Sequence, residues 1–247
     1  MTRSILAITG RAARGFLQGL VTNDVNRLDT GLVYAALLTP QGKYLADFFL
    51  VPAPDGAILL DVAESHAPAV AQRLAMYRLR ADVSIEPADI AVRRGTGPAP
   101  KGARPDPRHP DLGWRLYTAG AGDADGGTDW DAIRVAHCIP ETGIELTPDT
   151  YVLEAGFERL NGVDFHKGCY VGQEVTARMK HKTALKKGLI TVTVEGNAPP
   201  GTPITTRDGR PAGTLHTRSG DRAIAYLRFD RADGPLCAGE ARVSRAG

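Results

Sequence analysis

Residues 166–174, His-Lys-Gly-Cys-Tyr-Val-Gly-Gln-Glu, are the most informative stretch of the chain. Two glycines four positions apart, Gly168 and Gly172, bracket a cysteine and an aromatic residue. Residues 173–182 then follow a helical pattern, with Glu174 in the first turn and basic residues near the end, which is the charge order that the helix dipole favours. The pattern predicts a loop that presents Cys169 directly before a helix.

The setting of Cys169 favours the thiolate form of its side chain. Backbone N–H groups at a helix start and the neighbouring Lys167 both stabilise negative charge on sulfur. Residues 166–187 carry six Lys or Arg against one Glu, which makes this stretch strongly basic in a chain of net charge +2. These features predict a reactive thiol beside a local anion site. A buried, structural cysteine is the alternative, and it is the interpretation we favour for Cys138 and Cys237.

Outward from this segment, the hydrophobic patterns predict two domains. The first combines a helix over 12–20, a hairpin of strands over 32–38 and 44–51, a further strand and a helix beginning near Ser65, and is therefore α+β. Beyond residue 188 the helix signals vanish. Short strands are predicted there over 189–194, 203–206, 213–217 and 223–229, a spacing typical of a small barrel. We predict an α+β domain over residues 1–187 and a β-barrel domain over residues 188–247.

Composition excludes several classes of protein. No apolar run approaches the roughly 20 residues of a membrane helix, and the opening residues lack the long apolar core of a signal peptide. A net charge of +2 argues against a broad basic face for nucleic acid. Three cysteines without a CxxC pair argue against a disulfide framework, a zinc ribbon or a thioredoxin motif. We expect a soluble cytoplasmic protein with no metal site and no direct contact with membrane or nucleic acid.

The segment KGCYVGQE over residues 167–174, followed by Arg178, resembles the signature K-G-C-Y-x-G-Q-E-x-x-x-R of the YgfZ family of folate-binding proteins. These proteins are relatives of the glycine-cleavage T-protein, an aminomethyltransferase. The similarity continues in GFLQGLVTNDV over 15–25, in TPQGK over 39–43 and in D-P-R…L-G-W-R over 106–115. The resemblance implies a T-protein-like folate-binding domain followed by a small C-terminal β-barrel, with tetrahydrofolate as cofactor.

The resemblance also implies roles for individual residues. Tyr34 and Asp47 match a Tyr/Asp pair of the T-protein pterin pocket, and Glu154 matches a glutamate in its L-E-A-G-like stretch. A carboxylate can accept two parallel hydrogen bonds from the pterin amino group and ring N–H. With Arg178 of the signature, these residues are the candidate folate ligands, and Cys169 with Lys167 is the candidate reactive pair. Without the resemblance, Tyr34 would be a half-buried strand residue and the two carboxylates would be solvated.

One position departs from the T-protein pattern. That family has a catalytic aspartate shortly after a strand, whereas the matching strand here ends at Asp61-Val62 and the next carboxylate, Glu64, comes too soon. We therefore do not expect aminomethyl transfer of the glycine-cleavage kind, and whether the protein is an enzyme is left open.

The resemblance implies a tetrahydrofolate-binding accessory factor for the assembly or repair of [4Fe–4S] enzymes, including radical-SAM enzymes that thiolate tRNA. Its partners would be client enzymes or cluster carrier proteins, because a cluster usually needs four ligands and one thiol supplies a single one. Two alternatives stay open. One is a folate-dependent one-carbon transferase with a changed acceptor, and the other is a module in which folate is only a structural or regulatory ligand.

Overall fold

The computed structural model describes residues 2–120, 127–181 and 184–246. The chain forms two compact units: unit 1 comprises Met1–Thr128 and Phe157–Val175, and unit 2 comprises Asp129–Gly156 and Thr176–Gly247. This division differs from the boundary that we place after residue 187, since residues 129–156 and 176–187 join the C-terminal part. Residues 119–128 are mostly Gly, Ala and Asp, a composition that predicts an exposed loop, and most of that stretch lies outside the described residues.

Unit 1 is built on an antiparallel sheet with the strand order β2-β3-β4-β1-β5. Its strands are β1 Arg3–Thr9, β2 Val33–Leu38, β3 Tyr44–Pro52, β4 Ile58–Ala63 and β5 Ser84–Ala88. Helices α1 Ala13–Gln18 and α2 Ala67–Arg78 and a 3-10 turn over Val25–Asp29 lie between them along the chain. A smaller sheet, ordered β6-β8-β7, consists of β6 Ile90–Gly95, β7 Arg104–Pro105 and β8 Trp114–Ala119.

The two faces of the larger sheet carry different chemistry because side chains alternate along a strand. One face is apolar: Val33, Phe48 and Leu60 join the main core together with Leu17 of α1 and Leu74 of α2. The intervening positions of the same strands carry polar and aromatic side chains, namely Tyr34, Asp47, Phe49 and Asp61, and all four are at least 95% buried. Unit 1 therefore buries a layer of polar and aromatic side chains on the face of the sheet opposite the apolar core.

Unit 2 is a closed six-stranded barrel, ordered β10-β11-β12-β9-β14-β13, with a helix packed on it. The strands are β9 Lys187–Glu195, β10 Pro203–Thr206, β11 Pro211–Ser219, β12 Arg222–Arg228, β13 Leu236–Ala238 and β14 Ala241–Arg245. Helix α3, Trp130–His137, places Val135 against Ile224 of β12, and the Thr191 hydroxyl donates to Val135 O at 2.8 Å. These contacts explain why residues 129–156 belong with the barrel. The predicted α+β fold with a C-terminal barrel is confirmed.

Helix α4, Gln173–His181, follows the Cys169 loop as predicted and spans the division between the units. None of the helices in the described ranges is long and apolar enough to cross a membrane.

Candidate functional site

Cys169 lies at the exposed apex of a loop in unit 1. Of the three free thiols, Cys169 is exposed, Cys237 is partly exposed and Cys138 is buried. The residues around Cys169 are held more firmly, since Lys167 and Tyr170 are both only 8% exposed. The sequence therefore identified the most exposed of the three thiols.

The Lys167 side chain points into unit 1. Its ammonium donates to Gln18 O at 2.7 Å and to Val21 O at 2.5 Å, next to the C-terminus of α1, and lies 5.0 Å from the centroid of the Tyr170 ring. A cation is well placed there because the last carbonyls of a helix lack partners. Burial lowers the pKa of Lys167 to about 8, although Asp24 and Asp164 act in the opposite direction. Activation of Cys169 by Lys167 stays a prediction, and the contacts of the ammonium show that it anchors the loop.

Asp164 shapes the turn before Cys169. Its Oδ1 accepts the backbone N–H groups of His166 at 2.7 Å and Lys167 at 3.2 Å, and its Oδ2 is 2.6 Å from Arg27 Nη2. Burial raises the pKa of Asp164, but the N–H of His166 and the charge of Arg27 outweigh it and hold this pKa below its usual range. The ionised carboxylate of Asp164 therefore links the turn before Cys169 to the 3-10 turn Val25–Asp29.

The loop is also held by the segment that follows α1. The Thr22 hydroxyl donates to Gly162 O at 2.6 Å, and Asp164 N donates to Thr22 O at 3.0 Å. The Asn23 side-chain amide donates to both Asn161 O, at 2.6 Å, and Tyr34 O, at 2.8 Å. The GFLQGLVTNDV stretch over residues 15–25 therefore holds the segment before Cys169 through the hydrogen bonds of Thr22 and Asn23.

After Cys169 the chain is fixed by Gly172, which packs against the first hairpin turn. Gly172 has φ +84°, and a Cβ there would lie 2.6 Å from Thr39 O. Gly42 has φ +74°, and a Cβ there would lie 2.8 Å from Val175 Cβ. The two sequence motifs TPQGK and KGCYVGQE therefore meet, and only glycine fits at either contact.

We expect Gly172→Ala to lower the free energy of unfolding of unit 1 by about 2–4 kcal/mol, because it combines an unfavourable positive φ with a clash against backbone. The matched control is Gly168→Ala, where a Cβ has no heavy atom within 4 Å. Urea unfolding of both variants measures the difference. Equal stability of the two would show that the contact with Thr39 is not needed.

Tyr34 and Asp47, two of the candidate folate ligands, are brought together beneath the sheet. The Tyr34 hydroxyl donates to Asp47 Oδ2 at 3.0 Å, and the Tyr44 hydroxyl donates to Asp47 Oδ1 at 2.6 Å. Burial is the main cause that raises the pKa of Tyr34 well above its usual value, so the hydroxyl keeps its proton. The Tyr34 ring also stacks with Phe157, with 5.2 Å between centroids.

Beside this pair lies a buried network of charges that includes Asp61. Arg115 reaches Asp61 Oδ2 at 2.8 Å and Asp106 Oδ2 at 3.4 Å, and its guanidinium lies 3.9 Å from the centroid of the Phe49 ring. Arg3 pairs with Asp61 at 2.6 Å, and Arg108 pairs with Asp106 at 2.8 Å. Arg115 of the L-G-W-R motif and Arg3 thus supply the countercharges of Asp61, and Arg115 also links Asp61 to Asp106 of the D-P-R motif.

The other two candidate folate ligands belong to unit 2. Glu154 is 7% exposed, its Oε2 accepts the Tyr226 hydroxyl at 2.7 Å, and Lys187 Nζ lies 3.9 Å from the same oxygen. Burial, followed by this hydrogen bond, raises the pKa of Tyr226, which therefore remains a donor. Arg178 is an exposed residue of α4.

The two carboxylates differ in what they can offer a pterin. Both oxygens of Asp47 already accept a tyrosine hydroxyl. Glu154 uses Oε2 for Tyr226, and its Oε1 accepts no hydrogen bond from the residues that the structure describes. The donor set of tetrahydrofolate, an amino group beside a ring N–H, therefore fits Glu154 better than Asp47.

Sequence reasoning missed the residues that organise these sites. Tyr44 shares the Asp47 carboxylate, and Asp164 with Arg27 shapes the Cys169 turn. The D-P-R and L-G-W-R motifs gave a signal for Asp106, Arg108 and Arg115 but not for the pairing of Arg115 with Asp61.

Comparison with known proteins identifies relatives for both parts of the chain. Residues 186–246 match the family model described as the CAF17 C-terminal β-barrel domain. The chain is 33% identical to the mouse protein "Iron-sulfur cluster assembly factor IBA57, mitochondrial", over 95% of this chain and 78% of the relative. The human protein of that name is 30% identical over the same shares, and the Mycosarcoma maydis homologue is 30% identical over 80% of this chain and 57% of its own length.

Among solved structures, the aminomethyltransferase T of the glycine cleavage system from Bartonella henselae superposes with a TM-score of 0.77. The match covers 98% of this chain and 81% of that chain at 13% sequence identity, so it establishes a shared fold.

The relatives correct one expectation. We predicted a cytoplasmic location, and this is wrong, because the mouse, human and Mycosarcoma maydis relatives are named as mitochondrial proteins. The prediction rested on unpaired cysteines, which argue for a reducing environment and do not identify a compartment.

Proposed function

Because the chain belongs to the family of IBA57 iron–sulfur cluster assembly factors, we propose that it is an accessory factor in the assembly or repair of iron–sulfur proteins. The observation that carries the proposal is the Cys169 thiol, exposed at the apex of a loop whose two ends are fixed by Lys167 and Gly172. Its clients would be [4Fe–4S] enzymes, among them radical-SAM enzymes that thiolate tRNA, as the YgfZ-like signature implies.

The arrangement supports a role for Cys169 as a single thiolate donor. A cluster usually takes four ligands, so the other ligands must come from a client, a carrier protein or a small thiol. The exposed apex lets such a partner approach, while the anchored flanks limit how far the sulfur can move. Cys169 would therefore hold or accept cluster iron only while a partner is bound.

We further propose that tetrahydrofolate binds this protein through Glu154. Oε1, which accepts no hydrogen bond within the described part of the chain, and Oε2, which accepts from Tyr226, together form the acceptor edge that a pterin requires. When bound, the folate would supply a one-carbon carrier and an oxidisable ring. In this chain Glu154 would orient the pterin, and Tyr34 with Asp47 would stabilise unit 1 from within.

A deletion strain complemented with the full chain tests the accessory role. We expect Cys169→Ser to lose most of the restored activity of a [4Fe–4S] enzyme, because serine is a far poorer iron ligand than a thiolate. Cys237→Ser is the matched control and should restore activity fully, because that thiol is not part of the fixed loop. Full rescue by Cys169→Ser, at the protein level of the wild type, would remove the thiol from the proposed function.

A further inference from the structure

Asp164 lies at the centre of the contacts that precede Cys169. It is 8% exposed, and each of its carboxylate oxygens is used: Oδ1 by the N–H groups of His166 and Lys167, and Oδ2 by Arg27. Arg27 comes from the 3-10 turn Val25–Asp29, which is 137 residues away in sequence. A local turn is thereby joined to a distant element of the same unit.

Lys167 provides a second fixed point directly after this turn. Its backbone N–H is held by Asp164 at 3.2 Å, and its ammonium is held by Gln18 O and Val21 O. Only Gly168 separates Lys167 from Cys169, and Gly168 has open space around its Cα. The position of the sulfur therefore depends on how Lys167 is held, because only one glycine, with open space where a side chain would lie, separates Lys167 from Cys169.

We infer that Asp164, supported by Arg27, is a positioning residue for the Cys169 thiol: it fixes the turn at His166 and Lys167 so that the sulfur is presented in one orientation. The inference rests on the proposed function, in which the thiol meets a partner's cluster. Without the turn, Cys169 would stay exposed but would sample many orientations, so fewer encounters with a partner would be productive.

A nitroxide label on Cys169 tests the positioning directly. The label is attached to the folded full chain in a Cys237→Ser background, in which the remaining Cys138 is buried. We expect Asp164→Ala to convert an immobile electron paramagnetic resonance spectrum into a mainly mobile one. Hydrogen bonds to a charged group are lost, which shifts the equilibrium between ordered and disordered loop by roughly 10- to 100-fold.

Two conservative variants keep the test decisive even if Asp164→Ala folds poorly. Asp164→Asn retains an oxygen that can accept the two N–H groups but loses the ion pair with Arg27, and should give an intermediate spectrum. Arg27→Met removes the ion pair alone, keeps the charged acceptor of the two N–H groups, and should leave the label at least as immobile as Asp164→Asn does. The matched control, Arg14→Met, removes the pair between Arg14 and Asp29, whose side chains are 42% and 69% exposed, and should change nothing.

A loss of overall stability would not produce this pattern. An immobile spectrum in Asp164→Ala, or equally mobile spectra in Asp164→Asn and Asp164→Ala, would overturn the inference. The complementation assay separates it from the proposed function. Full activity of Cys169→Ser together with the expected spectra would refute the role of the thiol and leave the positioning intact. Loss of activity in Cys169→Ser, together with an immobile label in Asp164→Ala, would support the role of the thiol and refute the positioning by Asp164.

Discussion

Replacing Arg115 with methionine is expected to lower the free energy of unfolding of unit 1 by about 3–5 kcal/mol, the usual cost of removing one partner from a buried ion pair. Arg115 is 3% exposed and contacts two carboxylates, of which Asp61 is fully buried and Asp106 is 5% exposed. Methionine fills much of the same volume, so the loss of charge dominates the effect. Arg3 and Arg108 remain as partners, which places the expected value towards the lower end of that range.

The two tryptophans allow this loss to be assigned to unit 1. Trp114 lies in β8 of unit 1 and Trp130 lies in α3 of unit 2, so urea unfolding in a Trp130→Phe background reports on unit 1 alone. The matched control is Arg11→Met, because the pair between Arg11 and Asp82 has side chains 94% and 59% exposed and should contribute less than about 1 kcal/mol. A loss in Arg115→Met no larger than that in Arg11→Met would show that the network does not stabilise the unit.

Arg115→Met should also raise the midpoint pH of the acid unfolding of unit 1. Burial raises the pKa of Asp61, but Arg3 and Arg115 outweigh it and hold this pKa below its usual value. A carboxyl group with a lowered pKa in the folded state stabilises the fold at neutral pH, and this stability is lost as the pH falls through the folded-state pKa. Without Arg115 the pKa of Asp61 rises and protonation begins earlier. An unchanged acid midpoint would contradict this account.

Replacing Glu154 with glutamine is expected to weaken the binding of tetrahydrofolate by roughly 10- to 100-fold, the effect of losing a charge-assisted hydrogen bond of about 1.5–3 kcal/mol. Glutamine keeps an oxygen for the Tyr226 hydroxyl, so unit 2 should retain its stability. Calorimetric titration of the full chain with tetrahydrofolate under reducing conditions measures the affinity.

Asp47→Asn is the informative comparison for Glu154→Gln. Both oxygens of Asp47 serve tyrosine hydroxyls, so the amide group of asparagine leaves one hydroxyl without an acceptor. Asp47→Asn should therefore lower the free energy of unfolding of unit 1. The folate affinity of the folded variant should stay within about threefold of the wild-type value, because a change of that size corresponds to less than one hydrogen bond to the ligand. A loss of affinity in Asp47→Asn that exceeds the loss in Glu154→Gln would reverse the assignment of the pterin carboxylate.

The sequence predicted the elements that depend on local patterns. The hairpin of β2 and β3 and the barrel strands β9 to β12 were found because alternating apolar residues are bounded by turn residues. Strand β1 was missed because its partners, β4 and β5, are distant in sequence. The barrel strands β13 and β14, three and five residues long, were missed.

Helix starts and functional contacts were harder to predict for related reasons. Ser65 was expected to cap α2, but the helix begins at Ala67, no side chain caps it, and Pro68 occupies its first turn. Cys169 and its glycines were identified by pattern, whereas Arg27 and Asp164 pair across 137 residues, which no local pattern reveals. The basic residues over 166–187 do not all face solvent either, because the Lys167 ammonium is turned into backbone carbonyl groups of unit 1.

The order of the segments along the chain has a consequence for folding during synthesis. Unit 1 is completed only by Phe157–Val175, which follows the whole of Asp129–Gly156 from unit 2. At about 5–20 residues per second, the ribosome needs roughly 2–10 seconds to proceed from residue 128 to residue 175. During that interval Thr22 and Asn23 lack the hydrogen-bond partners that Asn161, Gly162 and Asp164 provide in the finished protein. A nascent chain that stalls there carries neither a closed unit 1 nor the thiol, so the thiol-bearing loop is the last part of its own unit to be made.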